Sequence, residues 1–281
     1  MGKSDSNRPD GSIRIDIASV LAQRLGSRSR LVPRWLVRRI ERLIRQDELN
    51  ELLRVAYPRR GTEFCEAVIE HLGITLRTRG TENLPAPGDN RVIYVCNHPL
   101  GGLDGMALIA FVKRHCGVEP LFVVNDLLMA VEPLADVFLP VNKHGAQSRG
   151  AIQSIDRAME GDRPIIIFPA GLCSRAIGGK VTDLTWRKMF VQKARQYRRD
   201  IVPLRFGGEN SATFYRCARW RERLGIKFNF EMILLPGEIF KASGKTFSID
   251  VAPVVSHSSL GNDTAAEVER IRNISENLEP A

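Results

Sequence analysis

The feature that most constrains this 281-residue chain is an alternation, from about Arg91 onward, of short β-rich runs with helical patterns. Such an alternation is typical of a largely parallel sheet, because parallel strands need crossover connections that are usually helical. The predicted strands cover residues 92–96, 121–124, 137–141, 165–168, 201–206, 228–235 and 247–251. The predicted helices cover residues 106–115, 149–159, 185–197, 211–224 and 264–278. We therefore expect the α/β class, with a largely parallel sheet flanked by helices and an N-terminal helical region.

The segment before this alternation is predicted to be a flexible N-terminus at residues 1–12, followed by a helical region at residues 13–72. Within that region, residues 33–53 combine an apolar stripe that includes Trp35, Leu36 and Ile40 with arginines over much of the remaining surface. A basic amphipathic helix with a tryptophan near its start suits an acidic membrane surface. The alternative is a helix that packs on the main domain and keeps a solvated charged face. The stripe alone does not separate these two interpretations.

The charge of the chain predicts an anionic partner. The formal net charge of +9 is compatible with nucleic acid, acidic lipid headgroups and phosphorylated substrates. Aromatic residues and arginines also mix at residues 214–221, a pattern that fits a lipid interface or stacking on single-stranded nucleic acid. No recognised nucleic-acid-binding motif accompanies this segment, so membrane contact is the favoured interpretation.

Residues 92–112 contain no Lys or Arg and have the length of a membrane span. They contain Asn97, His98, Asp104 and a glycine pair, and burying such groups in lipid would be costly. A strand, a loop and a helix are therefore predicted there, with no transmembrane helix. The N-terminus lacks the apolar run of a secretory signal. The five scattered cysteines, without metal-type CxxC spacing, indicate free thiols in a reducing compartment.

The loop after the first predicted strand carries the most informative chemistry. Residues 97–105 read Asn-His-Pro-Leu-Gly-Gly-Leu-Asp-Gly, and the carboxyl ends of strands are where α/β sheets tend to hold ligands. A histidine titrates near neutral pH, so His98 can accept a proton from a hydroxyl group. A carboxylate from Asp104 on the other ring nitrogen would fix the tautomer and stabilise the imidazolium. Gly101 and Gly102 permit a tight turn that could expose amide N–H groups to a developing oxyanion.

Two further strand ends offer cations to an anionic group. The run at residues 165–168 continues through Pro-Ala-Gly171 to Ser174 and Arg175. The guanidinium of Arg175 can bind a phosphate or a carboxylate through two parallel hydrogen bonds. Between the two loops, the strand at residues 137–141 is followed by Lys143, a second cation.

These segments resemble the glycerol-phosphate and lysophosphatidic acid acyltransferase superfamily. Its first motif is Asn-His followed by an aspartate, and its second is a strand end with a basic residue. The third motif reads Phe-Pro-Glu-Gly-x-x-Ser-Arg, and the fourth is an apolar Val-Pro strand. The chain matches them in the same order at residues 97–104, Lys143, residues 168–175 and residues 201–204. Four ordered motifs are far more specific than any one of them.

The resemblance implies a mechanism and a set of site residues. His98 would deprotonate the acceptor hydroxyl, which attacks a thioester of coenzyme A or acyl carrier protein, while Asp104 orients the histidine. Lys143 and Arg175 would hold the anionic headgroup. The remaining predicted substrate-binding residues are Asn97, Gly101, Gly102, Gly171 and Ser174. No cofactor and no metal is expected beyond the acyl-CoA or acyl-carrier-protein co-substrate, and residues 73–281 would form the acyltransferase catalytic domain.

Two departures from the family pattern bear on the acceptor. Five residues separate His98 from Asp104 where the family usually has four, which leaves their pairing open. Ala170 replaces the family glutamate and indicates altered headgroup recognition. A subgroup with an Asn-His-Pro-x-Gly-Gly-x-Asp motif and Phe-Pro-Ala-Gly is associated with hemolysin-like acyltransferases and amino-acid-containing lipids.

We therefore predict an O-acyltransferase of membrane lipid biosynthesis. Its first-choice acceptor is 1-acylglycerol-3-phosphate, because the two predicted cations, Lys143 and Arg175, would bind an anionic headgroup. One alternative is an enzyme that acylates a lyso-aminolipid of the ornithine- or glycine-lipid type. Another is a non-catalytic basic membrane-binding protein, which would tolerate the loss of His98. The expected partners are the membrane lipid surface, acyl-CoA or acyl carrier protein, and the lysolipid, with no nucleic acid. The expected location is cytoplasmic, at the inner face of the membrane.

Overall fold

The structure is a computed structural model that describes residues 13–26, 32–125, 128–129, 131–141 and 149–278. Its helices are α1 (Ile17–Leu25), α2 (Arg34–Ile44), α3 (Gln46–Ala56), α4 (Gly61–His71), α5 (Leu103–Cys116), α6 (Arg149–Glu160), α7 (Met189–Tyr197), α8 (Ala212–Arg223), α9 (Leu235–Lys241) and α10 (Thr264–Glu276). Its strands are β1 (Thr75–Arg79), β2 (Val92–Cys96), β3 (Leu121–Asn125), β4 (Phe138–Val141), β5 (Ile165–Ile167), β6 (Arg175–Ile177), β7 (Lys180–Thr182), β8 (Asp200–Gly207) and β9 (Thr246–Val251).

The main sheet has β2 near its centre. In the part of the chain that the structure describes, seven strands pair in the order β1-β9-β8-β2-β5-β3-β4. Neighbouring strands are parallel except β8 and β9, so β1 and β9 run opposite to the other five. β6 and β7 form a separate antiparallel hairpin. The predicted α/β class with a largely parallel, helix-flanked sheet is confirmed.

The sheet divides the apolar core into two layers. Successive side chains of a strand point to opposite faces, and those of β2 follow this rule. Val92, Tyr94 and Cys96 pack with α3, α4 and α5 on one face. Ile93 and Val95 pack on the other face, with side chains of α6, α7 and α10. Because both faces are covered, β2 reads as a continuous apolar run, as expected for a central parallel strand.

The N-terminal helices differ in how deeply they are buried. α3 and α4 contribute Leu52, Leu53, Phe64 and Val68 to the same core layer as the sheet. The predicted helical pattern at residues 33–53 is divided at Arg45, which adopts a left-handed conformation between α2 and α3. α2 is far more exposed than α3 or α4. No helix within the described ranges combines the length and apolarity needed to cross a bilayer.

The stretch at residues 92–112 is a strand, a loop and the start of a helix, as predicted.

The prediction of a strand at residues 228–235 is wrong. A 3-10 helix covers Phe230–Leu234 and leads directly into α9. Pro236, the residue directly after the predicted strand, lies in the first turn of α9, where its missing N–H costs nothing, and so favours the start of a helix there. The apolar spacing at residues 228–235 was compatible with either element.

Candidate active site

The site is built on the loop that follows β2. That strand ends at Cys96, and the amide of the next side chain, Asn97, pairs with the backbone of Phe206 in β8. The amide nitrogen donates to the Phe206 carbonyl at 3.0 Å, and the amide oxygen accepts from the Phe206 N–H at 2.7 Å. Asn97 therefore adds one rung to the β2–β8 pairing and fixes the point at which His98 leaves the sheet. Its predicted role in substrate binding stays a prediction.

His98 and Asp104 form the central pair of the site. The Nδ1 atom of His98 lies 2.9 Å from Oδ2 of Asp104, which is fully buried in the first turn of α5. The same carboxylate accepts the backbone N–H groups of Leu100 at 2.8 Å and Gly105 at 2.9 Å. Since an ionised carboxylate only accepts hydrogen bonds, Nδ1 carries the proton and Nε2 is the ring atom left as a base.

The charge of Asp104 is set by two opposing effects. Burial raises its pKa, because a buried carboxylate loses the hydration that stabilises its charge. The neighbouring His98 and the hydrogen bonds from His98, Leu100 and Gly105 outweigh burial and leave the pKa below its ordinary value. Asp104 is therefore ionised at neutral pH and can stabilise a positive charge on the imidazole.

A glycine turn absorbs the extra residue between His98 and Asp104. Gly101 has a φ of +77°, a conformation that favours glycine. A Cβ atom on Gly101 would also lie 2.7 Å from the Leu235 side chain. The pairing of His98 with Asp104, which the sequence left open, is thus present. The N–H of Gly101 points toward Asp104 at 3.3 Å, and Gly102 directly precedes α5. The roles of both glycines toward the substrate stay predictions.

An aromatic stack fixes the orientation of the imidazole. The His98 ring lies nearly parallel to the Phe168 ring, with 4.0 Å between their centroids. Phe122 contacts Phe168 edge-on at 5.3 Å. Gly105 allows this close approach, because a Cβ atom there would lie 2.8 Å from the Phe122 ring. With Asp104 on one edge and Phe168 on one face, the ring has little freedom to rotate.

The loop after β5 holds the backbone of His98. The Ser174 N–H donates to the His98 carbonyl at 2.8 Å, and the Ser174 hydroxyl donates to Asp183 at 2.5 Å. Gly171 has a φ of +65° and turns the chain back after Phe168. The Ser174 side chain is buried and occupied by Asp183, and the predicted substrate contacts of Ser174 and Gly171 stay predictions.

Arg175 points into the protein rather than outward from the loop. Its guanidinium donates to Glu231 at 2.8 Å and to the Cys173 carbonyl at 2.6 Å, and it lies over the Phe214 ring. Glu231 is fully buried and also pairs with Arg221 at 3.0 Å. The guanidinium is thus paired within the fold with a carboxylate that it shares with Arg221, while its predicted contact with a headgroup stays a prediction. The other predicted cation, Lys143, lies outside the described residues.

Several residues that support His98 or Arg175 were not predicted from the sequence. Phe168 was noted as part of a motif, but not as a stacking partner. Asp183 and Glu231 lie in stretches without any motif, and their partners are distant in sequence. The pattern Asp183-x-x-Trp186 held a weak signal, since a tryptophan N–H that becomes buried usually finds an acceptor.

The arrangement is suited to taking a proton from a hydroxyl group. The His98 side chain is buried except for a small exposed part, whereas its carboxylate partner is fully enclosed. The buried Asp104 fixes the tautomer, as the carboxylate does in a serine-hydrolase triad. Of the nearby described residues, Ser174 is bound through its hydroxyl to Asp183, and burial raises the pKa of the Cys96 thiol well above its ordinary value, so neither is placed to act as a nucleophile activated by the imidazole.

The chain is similar to known acyltransferases. A family model described as Acyltransferase matches residues 19–274. A lyso-glycine lipid O-acyltransferase of Phocaeicola vulgatus is 41% identical over 252 residues, which cover 89% of this chain and 90% of that protein. A lyso-glycine lipid O-acyltransferase of Bacteroides thetaiotaomicron is 39% identical over 240 residues, which cover 85% of this chain and 88% of that protein.

A solved structure was also found to be similar. The crystal structure of the 1-acyl-sn-glycerophosphate acyltransferase PlsC from Thermotoga maritima aligns with a TM-score of 0.45 and 15% identity, over 85% of this chain and 89% of that chain. The family match spans the N-terminal helices as well as the sheet, and both relatives align along most of their length. The chain therefore belongs to the acyltransferase family.

Proposed function

We propose that this acyltransferase moves a fatty acyl group from a thioester donor onto the hydroxyl of a lyso-glycine lipid. The observation that carries the choice of acceptor is the name shared by two relatives that are 41% and 39% identical along most of the chain. This favours the lyso-aminolipid alternative over 1-acylglycerol-3-phosphate, the first-choice acceptor predicted from the sequence.

The chemistry of the acceptor supports this choice. A glycine lipid presents a single carboxylate, whereas a phosphate monoester carries up to two negative charges near neutral pH. Arg175, one of the two cations predicted to meet a phosphate, is buried and directed at Glu231. Ala170, at the position of the family glutamate, is buried among apolar side chains. A site in which one of the two predicted cations is turned into the protein suits a singly charged headgroup, for which Lys143 remains the proposed contact.

In the proposed mechanism His98 acts as a general base. Nε2 takes the proton from the acceptor hydroxyl as its oxygen attacks the thioester carbonyl. Asp104 stabilises the imidazolium that forms, and amide N–H groups at the start of α5 stabilise the oxyanion. The intermediate then releases the thiolate of the donor, coenzyme A or acyl carrier protein, and the imidazolium returns the proton to that sulfur.

The test uses purified protein with a lyso-glycine lipid and with 1-acylglycerol-3-phosphate, each supplied with acyl-CoA or with acyl carrier protein. We expect the diacylated glycine lipid as the main product by mass spectrometry. A product that is solely phosphatidic acid would return the acceptor to the sequence-based first choice. No acylation of either lipid with either donor would favour the non-catalytic membrane-binding alternative.

We also propose that the protein docks on acidic membranes through an apolar face formed by Trp35, Leu43, Trp220, Leu224 and Phe228. Trp220 and Phe228 are 65% and 71% exposed, and Trp35 is exposed to a similar degree. These residues lie on α2, on α8 and just after α8, and both helices pack against the 3-10 helix Phe230–Leu234. The same two helices carry exposed arginines at positions 34, 38, 39, 42, 216, 219 and 223. Apolar side chains with neighbouring cations suit an interface that contains anionic lipid.

Vesicle sedimentation tests this surface. Binding is expected to be stronger to phosphatidylcholine vesicles that contain phosphatidylglycerol than to pure phosphatidylcholine. Replacing Trp220 and Phe228 by Ala should weaken binding at least about tenfold, since each buried apolar side chain contributes about 1.5–3 kcal/mol. Val118→Ala, a change at an exposed apolar residue just after α5, is the matched control. Equal loss in the control, or none in the double variant, would contradict the proposal.

A further inference from the structure

Asp183 is a buried carboxylate that contacts the catalytic loop from outside it. It lies directly after β7 and is only 3% exposed. Its Oδ1 atom accepts the backbone N–H of His98 at 3.1 Å and the Ser174 hydroxyl at 2.5 Å. Its Oδ2 atom accepts the indole N–H of Trp186 at 2.9 Å. Each of these three partners is a donor, which matches an ionised carboxylate that can only accept.

Trp186 ties this carboxylate to the rigid core. The indole is buried in the core layer opposite α5 and contacts Phe190 edge-on at 6.0 Å. Burial raises the pKa of Asp183, and the hydrogen bonds from Ser174, His98 and Trp186 oppose that rise. A side chain anchored in this way cannot follow a movement of the β2 loop, so its contact with His98 restrains the loop.

The backbone of His98 is consequently held on both sides. Its N–H donates to Asp183, and its carbonyl accepts from the Ser174 N–H at 2.8 Å. Since Ser174 also binds Asp183, the three residues close a ring of hydrogen bonds that joins the segments after β2, β5 and β7. Asp104 and Phe168 orient the imidazole about its side-chain bonds, but neither can stop a shift of the backbone that carries it. The ring of hydrogen bonds opposes such a shift directly, at the peptide groups of His98 itself.

We propose that Asp183 is a positioning residue for acyl transfer, which holds the backbone of His98 so that Nε2 meets the acceptor hydroxyl. This inference rests on the proposed role of His98 as general base. Proton transfer is sensitive to placement, and an error of about 1 Å can cost about 100-fold in rate. Acceptor binding depends on other contacts, so a loss of positioning lowers kcat and leaves KM nearly unchanged.

The experiment compares the wild-type protein with Asp183→Asn and Asp183→Ala, using the lysolipid that the wild-type protein acylates. We expect kcat per folded molecule to fall about 30- to 100-fold in both variants, with KM for the acceptor within about threefold of wild type. Folded protein is measured by circular dichroism. Ser174→Ala removes one hydrogen bond of the ring and should lower kcat several-fold. It replaces the Asp183 variants as the test if neither of them folds.

Asp200→Asn is the matched control. Like Asp183, Asp200 accepts a histidine backbone N–H and a serine hydroxyl. The donors are the N–H of His257 at 2.8 Å and the hydroxyl of Ser256 at 3.3 Å, and they lie at the opposite end of the sheet from His98. Its kcat should stay within about twofold of wild type. A folded Asp183 variant with wild-type kcat, a loss confined to KM, or an equal loss in Asp200→Asn would overturn the inference. So would wild-type kcat in Ser174→Ala when the Asp183 variants do not fold.

The kinetics of His98→Ala and of the Asp183 variants together distinguish a failure of the positioning role from a failure of the proposed function. If His98→Ala abolishes turnover while folded Asp183 variants keep it, the general base stands and the positioning role fails. If His98→Ala retains turnover, the proposed mechanism fails and the inference fails with it.

Discussion

Two histidine–carboxylate pairs lie at opposite ends of the same sheet. His98 follows the carboxyl end of β2 and contacts Asp104 at 2.9 Å. His257 contacts Asp200, the first residue of β8, at 2.7 Å. β2 and β8 are parallel, and Val92 at the start of β2 pairs with Asp200, so the two histidines are separated by the length of the strands.

The shorter pair is the more exposed one. The side chains of His257 and Asp200 are 33% and 34% exposed, compared with 15% for His98 and 0% for Asp104. Water competes for an exposed pair and weakens it, whereas an enclosed carboxylate keeps its full influence on the imidazole. His98 is also stacked on an aromatic ring. Contact distance therefore does not set the His98 pair apart from the His257 pair, whereas the enclosure of the carboxylate and the stacking of the ring do.

The largest difference between the pairs is expected on removal of the imidazole. His98→Ala should lower the rate of acyl transfer by about 10⁴-fold, the upper range for a general base. His257→Ala should stay within about twofold of wild type. Steady-state kinetics with the acylated lysolipid provide the measurement. Comparable rates for the two variants would remove the functional distinction between the pairs.

Replacement of the carboxylates should give a smaller difference. Asp104→Asn is expected to reduce kcat by about 10³-fold, because the amide no longer fixes the tautomer or stabilises the imidazolium. The protein should still sediment with acidic vesicles, which separates loss of catalysis from loss of membrane binding. Asp200→Asn again provides the comparison, and a similar kcat in both variants would contradict the assignment of Asp104.

The glycine turn is required by the first pair alone. Gly101→Ala should lower the free energy of unfolding by about 2 kcal/mol more than Gly178→Ala, because overpacking costs about 1–3 kcal/mol. Both glycines have positive φ values, +77° and +58°, but no atom lies within 4 Å of a Cβ at Gly178. Urea denaturation measures the difference, which isolates the clash with Leu235 from backbone strain. Equal losses would show that Leu235 gives way.

The smallest expected effect is a change in acid sensitivity. The pKa of Asp104 in the folded protein lies below the ordinary 3.8, so its charge stabilises the fold above that pH. This contribution is lost as the pH falls through the folded-state pKa. Stability of wild type should therefore fall more steeply below about pH 4 than that of Asp104→Asn. Urea midpoints across that range measure it, and parallel curves would contradict the lowered pKa.

The central part of the fold was predictable from local patterns. β2 spans the predicted residues 92–96, because a central parallel strand reads as an uninterrupted apolar run. The strand predicted at residues 228–235 failed because a short apolar run does not distinguish strand from helix. The β6–β7 hairpin was not predicted, since strands of three residues carry too little periodicity to detect.

The site was predictable only where its residues are neighbours in sequence. His98 and Asp104 share one turn, so their motif could be read directly. Asp183 is 85 residues from His98, and Glu231 is 56 residues from Arg175. No local pattern encodes such contacts, which depend on how the loops after β2, β5 and β7 converge. The inward direction of Arg175 follows from Glu231 and could not be read from the motif.

The amide of Asn97 has a consequence for how the reactive residue is presented. Toward Phe206 it uses one N–H as donor and its oxygen as acceptor, as a peptide unit does, and so it lengthens the β2–β8 ladder without lengthening the strand. The point at which residue 98 leaves the sheet is therefore set by the β2–β8 pairing and does not depend on the histidine side chain. A different side chain at position 98 would leave the sheet at the same point. Asn97→Asp, in contrast, would lose the hydrogen bond to the Phe206 carbonyl and with it one of the bonds that hold the start of the loop.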